Sequence, residues 1–155
     1  MKIFSSRQRI TVVSVNERSH SAPSLAEIFY TLPGPVRNLN AQNIREMTAD
    51  IHWEAPLGGA TEYRITFINY WNDQMIHYTN QTNFTVTALR ANNQNTINVQ
   101  AFGLVGYSSV ETITFWTPPR QPSYVRFPNT QHDQIEVTWY SPHEGGCLFI
   151  YLSKV

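Results

Sequence analysis

The stretch Thr48 to Gly59 (TADIHWEAPLGG) returns later in the chain as Gln134 to Gly146 (QIEVTWYSPHEGG). Ile51 falls on Val137, Trp53 on Trp139, Pro56 on Pro142, and Gly58-Gly59 on Gly145-Gly146. The copies lie about 86 residues apart, and self-similarity at a fixed period is the mark of a chain built from repeated units. Within each copy apolar and polar residues alternate and a Pro/Gly loop follows. That pattern predicts a short half-buried strand with a sharp exit. Other pairs keep the period: Thr31 with Thr117, Val12 with Val99, and Ser21 with Ser108 within one residue.

The rest of the chain reads as strand too. Residues 1–32 hold one strand at Arg9 to Val15, a polar turn region at Asn16 to Pro23, and a second strand at Leu25 to Leu32. Two strands alone are marginal in water, so this piece is expected to pack on further sequence or on the next unit. Pro33-Gly34-Pro35 marks a boundary, because proline cannot feed a sheet ladder and stiffens a linker. Seven strand-like runs follow: Val36 to Ala41, Thr48 to Trp53, Glu62 to Tyr70, Gln74 to Tyr78, Asn83 to Thr87, Asn95 to Phe102 and Val110 to Trp116. Their alternation predicts a core of Trp53, Tyr63, Ile65, Phe67, Val86, Leu89, Ile97 and Val99. Asn72-Asp73 reads as a hairpin turn. Short, regularly spaced strands imply an antiparallel two-sheet sandwich. After Thr117-Pro118-Pro119 the pattern starts again, with Val125 and Phe127, then Ile135 to Trp139 (Trp139 in the core), then Leu148 to Leu152. The expected organisation is therefore 1–32, the last strands of one unit; 33–118, a complete unit; and 119–155, the first strands of another.

Bulk composition narrows function mainly by exclusion. The 155 residues carry a net charge of +0, 41% hydrophobic, 13% aromatic and 14% charged residues. Zero net charge argues against a nucleic-acid partner held by bulk basicity. The single cysteine, Cys147, cannot form a disulfide within the chain. In its strand-like run it reads as a small apolar core residue, with an intermolecular disulfide as the minor alternative. No signal peptide is visible, because Arg7 and Arg9 interrupt the first apolar run. No run reaches the ~18 apolar residues of a membrane span. Any membrane attachment is expected through segments outside this chain.

In order and spacing, the residues resemble the fibronectin type III family. The resemblance rests on Pro35-x-x-x-Leu39, Ile51-x-Trp53-x-x-Pro56, Tyr63-x-Ile65-x-Phe67, Leu89, Ile97-x-Val99-x-Ala101, Gly106-x-Ser108 and Thr117-Pro118. It implies an all-β fold, a seven-stranded immunoglobulin-like sandwich. It also implies a non-catalytic spacer or protein-binding module, as in receptor and cell-adhesion ectodomains, Sevenless/Ros-type kinases and receptor tyrosine phosphatases among them. Two other settings stay open: an intracellular structural scaffold array, and an accessory module of a secreted carbohydrate-active enzyme with Trp71 and Tyr78 starting a sugar strip. One departure stands out. The family's corner tyrosine is replaced by Asn95, so the corner is expected to lack its hydroxyl bond and the unit to be less stable.

No catalytic constellation, phosphate-binding glycine loop or cofactor motif appears. His52 and His77 would make a metal pair only if their strands met in register, and a solvated polar face is the favoured reading. The expected partners are proteins and neighbouring units. Leu104, Val105 and Tyr107, between glycines in the loop joining the last two strands, form the first candidate surface, together with Leu57. Trp71, expected at the opposite end, is the second. Asn80 and Asn83 each open an N-glycosylation acceptor triplet.

Overall fold

A computed structural model describes residues 7–129 and 135–140, and every regular element in them is a β-strand. Cys147 and the strand expected at 148–152 lie outside the described residues. In chain order the strands are β1 (Arg7–Ile10), β2 (Glu27–Tyr30), β3 (Arg37–Gln42), β4 (Ala49–Glu54), β5 (Glu62–Ile68) and β6 (Gln74–Thr79). They continue as β7 (Asn83–Val86), β8 (Gln94–Gly103), β9 (Gly106–Tyr107), β10 (Glu111–Trp116), β11 (Ser123–Arg126) and β12 (Thr138–Tyr140).

Strands β3 to β10 form two facing antiparallel sheets. One has the order β3-β4-β7; the other runs β10-β8-β5-β6, with the two-residue β9 pairing the end of β8. The period-2 pattern explains why they face each other. Along β4, Ala49, Ile51 and Trp53 are buried while Asp50 and His52 are not. Along β5 the buried set is Tyr63, Ile65 and Phe67, and along β8 it includes Ile97, Val99 and Ala101. Successive side chains point to opposite faces, so each sheet turns one apolar row inward. Ile51, Ile65, Leu89, Ile97, Val86 and Val99 are fully buried. Trp53 and Tyr63 meet edge to face at 5.3 Å between ring centroids, a favoured aromatic geometry.

The corner before β8 differs from the expectation. Asn95 is buried and takes over the bonding assigned to a tyrosine. Its Nδ2 donates to the carbonyls of Arg90 (3.1 Å) and Asn93 (3.1 Å) and to Thr117 Oγ1 (3.2 Å). Its Oδ1 accepts from the Arg90 N–H (3.3 Å). The Thr117 hydroxyl in turn donates to the Arg90 carbonyl. A carboxamide both donates and accepts, so one buried side chain ties the corner to the exit of β10.

The flanking segments repeat the geometry of this sandwich. Ser108 Oγ accepts from the Ala101 N–H (2.9 Å), and the Ser108 N–H donates to the Ala101 carbonyl (2.8 Å). The same clip joins Ser21 and Ser14, at 3.1 and 2.9 Å, 87 positions earlier. Downstream, β3 and β4 pair Arg37 with Glu54 and Asn40 with His52 across a bulge, and β11 and β12 pair Ser123 with Tyr140 and Arg126 with Thr138 across another. Each of those positions is displaced by 86. Asn38 (φ 50°) and Tyr124 (φ 54°) hold the left-handed conformation at the two bulges. An Asn-to-carboxylate bond recurs as well: Asn43 to Asp50 (2.8 Å) and Asn129 to Glu136 (2.7 Å).

Several strands are shorter than expected, the first and last most clearly. The ladder at the start is Arg7–Ile10 against Glu27–Tyr30, not Arg9 to Val15. Serine hydroxyls explain the shift: Ser24 Oγ takes the Val12 N–H and Ser21 Oγ takes the Ser14 N–H. Such local bonds compete with a sheet ladder. Strand β12 covers Thr138–Tyr140 rather than Ile135 to Trp139, and upstream of it the Glu136 N–H and carboxylate are both bonded by Asn129. Trp139 is half-buried rather than enclosed.

Candidate partner-binding surfaces

Strand register decides which loops share an end of the sandwich. Tyr63 pairs with Thr79, Glu62 with Phe102, and His52 with Asn83. The loop at 55–61, the turn at 80–82 and the hairpin end at 103–106 therefore lie together. Leu57 (80% exposed), Leu104 (60%) and Val105 (51%) stand out from this end. Gly58 (φ +90°) and Gly59 (φ +79°) shape the loop behind Leu57; glycine meets no steric penalty there.

Tyr107 does not join that apolar group. It is half-buried on the outer face of the four-strand sheet. Its ring lies 4.8 Å from that of Phe102, and the Arg64 guanidinium sits 4.3 Å above it. Arg64 also donates to Gln100, whose amide donates to the Ser108 carbonyl at 2.9 Å. Desolvation, and then a hydrogen bond with Tyr78, raise the Tyr107 phenol above its ordinary pKa. The sequence reading missed this Arg64–Tyr107–Tyr78 group. Strand parity places Arg64 and Tyr78 outward, yet their meeting depends on register between β5, β6 and β9.

The linker from the preceding segment occupies part of the same end. A Cβ on Gly106 would lie 3.0 Å from Leu32 Cδ2, and one on Gly34 would lie 3.7 Å from Pro56 Cβ. Pro33 and Pro56 are buried.

At the opposite end Trp71 is 68% exposed, so it does not cap the core. Its ring meets Tyr70 edge-on at 5.9 Å. The following linker reaches back to this region: Arg120 lies 5.4 Å from the Tyr70 ring and bonds Met47 Sδ at 3.0 Å. Trp71 and Tyr78 sit near opposite ends of β6 and do not form one strip.

His52 and His77 belong to different sheets. His77 turns inward between the rings of Phe67 (5.8 Å) and Phe84 (4.9 Å). Among the described residues no group of three or more His, Cys, Asp or Glu is placed to hold a metal ion, and no helix is long and apolar enough to cross a membrane. Asn80 and Asn83 are both exposed, Asn80 in the turn and Asn83 at the start of β7.

Comparison with known proteins follows this geometry. A family profile described as fibronectin type III domain matches residues 34–115. Protein sidekick-2 of Gallus gallus is 32% identical over 111 residues, covering 66% of this chain and 5% of its own length. Sidekick-2 of Mus musculus gives the same identity and coverage. The chain thus spans about 5% of the length of these relatives. A solved two-domain fibronectin type III segment of chicken tenascin superposes with a TM-score of 0.58 at 21% identity, over 71% of this chain and 64% of that one. At that identity the likeness concerns the fold.

Proposed function

The chain belongs to the fibronectin type III domain family, and from that membership we propose that it is a spacer and protein-binding segment of an extracellular receptor or adhesion ectodomain. In this reading residues 33–118 are one complete unit, and 1–32 and 119–155 belong to flanking units. The carrying observation is the repetition of local geometry 86 or 87 positions away on both sides of the sandwich. Mechanism here is complementarity rather than chemistry. The exposed trio Leu57, Leu104 and Val105 offers an apolar contact on loops held by a rigid sandwich. Leu32 and Arg120 press the linkers onto the unit and stiffen the spacing. Trp71 then borders the joint with the following unit. The similarity to sidekick-2 supports the ectodomain placement.

The test is intact mass of the chain secreted from eukaryotic cells behind an added signal peptide, before and after N-glycosidase treatment. A mass drop with conversion of Asn80 to Asp is expected. A chain retained inside the cell and free of glycan refutes the extracellular placement.

A further inference from the structure

Besides the two-residue β9, the sandwich has four edge strands, and three are guarded against pairing with another sheet. β3 carries a bulge, with Asn38 at φ 50° and an Arg37–Glu54 ion pair of 3.3 Å. β7 is four residues long. β10 has β3 packed alongside it. Bulges, charge, shortness and covering are the usual defences of an edge.

β6 has none of them. Its sequence, Gln74–Thr79 (QMIHYT), contains no Lys, Arg, Asp, Glu or Pro. Its register against β5 runs unbroken from Tyr63↔Thr79 to Ile68↔Gln74, so the free side presents a straight row of backbone groups. Ile76 (48% exposed) and Tyr78 (53%) stand on its outer face, with Ile68 (48%) beside Gln74. His77, the one titratable imidazole of the strand, faces inward between two phenylalanine rings. A two-fold arrangement brings each strand against its own copy, and here that meeting opposes no like charges and covers apolar side chains on both partners.

One glycosylation triplet, Asn80-Gln81-Thr82, is the turn that leaves this edge, and the other, Asn83-Phe84-Thr85, lies on β7 just beyond it. Asn80 follows the last residue of β6 directly and is exposed. A glycan there is bulky and hydrated, and stands where the partner strand must enter.

We propose that β6 is a self-association edge, on which a second copy of this chain lays its own β6 antiparallel, and that a glycan on Asn80 blocks the pairing. The edge stands on geometry alone; the glycan guard rests on the extracellular reading above. Two preparations separate them. The full chain made in bacteria, which lacks N-glycans, is followed by sedimentation velocity from about 10 to about 500 µM. A monomer–dimer equilibrium is expected, with amide exchange of residues 74–79 slowed as concentration rises. Ile76→Lys, an exposed position, is expected to weaken it at least about tenfold, while Thr114→Lys on β10 leaves it unchanged. A monomer throughout, or a dimer indifferent to Ile76→Lys, overturns the edge. The secreted chain is expected to be monomeric with its glycan and to dimerise as Asn80→Gln. A secreted chain that dimerises with Asn80 glycosylated overturns the guard. One that carries no glycan counts against the extracellular reading and the guard, while the bacterial chain still decides the edge.

Discussion

Replacing Asn95 measures how much one buried carboxamide contributes to the sandwich. The side chain makes four hydrogen bonds, donating to Arg90 O, Asn93 O and Thr117 Oγ1 and accepting from the Arg90 N–H. It does so at 6% exposure. A buried hydrogen bond contributes about 1 kcal/mol net, and each partner left unsatisfied adds a desolvation penalty. Not all four losses count in full, because the Arg90 carbonyl keeps the Thr117 hydroxyl and Asn93 O keeps the Thr117 N–H. Asn95→Ala is therefore expected to cost about 2–4 kcal/mol, or roughly 10–25 °C in Tm for a domain of this size. The assay is equilibrium unfolding in urea followed by tryptophan fluorescence, with the m-value unchanged. Asn95→Asp sharpens the test. It keeps the shape and the acceptor but aims carboxylate oxygen at the Arg90 and Asn93 carbonyls, with only the Thr117 hydroxyl able to turn and donate to it, so it is expected to destabilise at least as much as Ala. A loss under about 1 kcal/mol for Ala, or an Asp variant as stable as the parent, refutes the corner as described.

Three further outcomes follow from the same structure. Leu89 is fully buried, and Leu89→Ala is expected to lower stability by about 2–5 kcal/mol in the same urea assay. Gly106→Ala adds a Cβ 3.0 Å from Leu32 Cδ2 at φ +145°, which is expected to cost about 1–2 kcal/mol; Leu32→Ala should recover the steric part but not the backbone strain. The Asp50 carboxyl is held below its ordinary 3.8, first by the Asn43 amide and then by the Thr85 hydroxyl. A depressed folded pKa stabilises above the unfolded value and is lost as pH falls from about there through the folded one. NMR titration of Asp50 is expected to show its pKa rising toward the ordinary value in Asn43→Ala, and the acid loss of stability below pH ~4 should shrink.

Much of the fold was legible because burial in a sandwich follows strand parity. The inward residues of β4, β5 and β8 are those that alternation selects. Parity carries no record of which hydroxyl or amide will claim a backbone group. RITVVSV reads as strand by propensity, yet Ser21 and Ser24 take two of its N–H groups from across a turn. Asn95 reads as the loss of a tyrosine because the reading compares residue types, whereas the corner needs a donor and an acceptor of the right reach, which a carboxamide supplies. That the loops at 55–61 and 103–106 share an end is what the family resemblance implies, and strand register brings them together there. Tyr107 was grouped with Leu104 and Val105 by adjacency, but β9 extends the ladder through it and turns its ring under Arg64.

The same residues bear on what a tandem array can transmit. Leu57, Leu104 and Val105 share an end with the incoming linker, whose Leu32 fills the space that a side chain at Gly106 would take. A partner gripping those loops therefore meets the joint as well as the unit. The outgoing linker is tied differently. Thr117 is locked into the Asn95 corner, and Arg120 lies against Tyr70 and Met47. Proline stiffens both linkers, and the outgoing one is held further by a hydrogen-bonded corner and a cation over a ring. Freeing the outgoing linker breaks hydrogen bonds of the buried Asn95 corner and leaves their polar groups to be solvated anew. Movement of the outgoing linker is thus coupled to the Asn95 corner and, through it, to the start of β8.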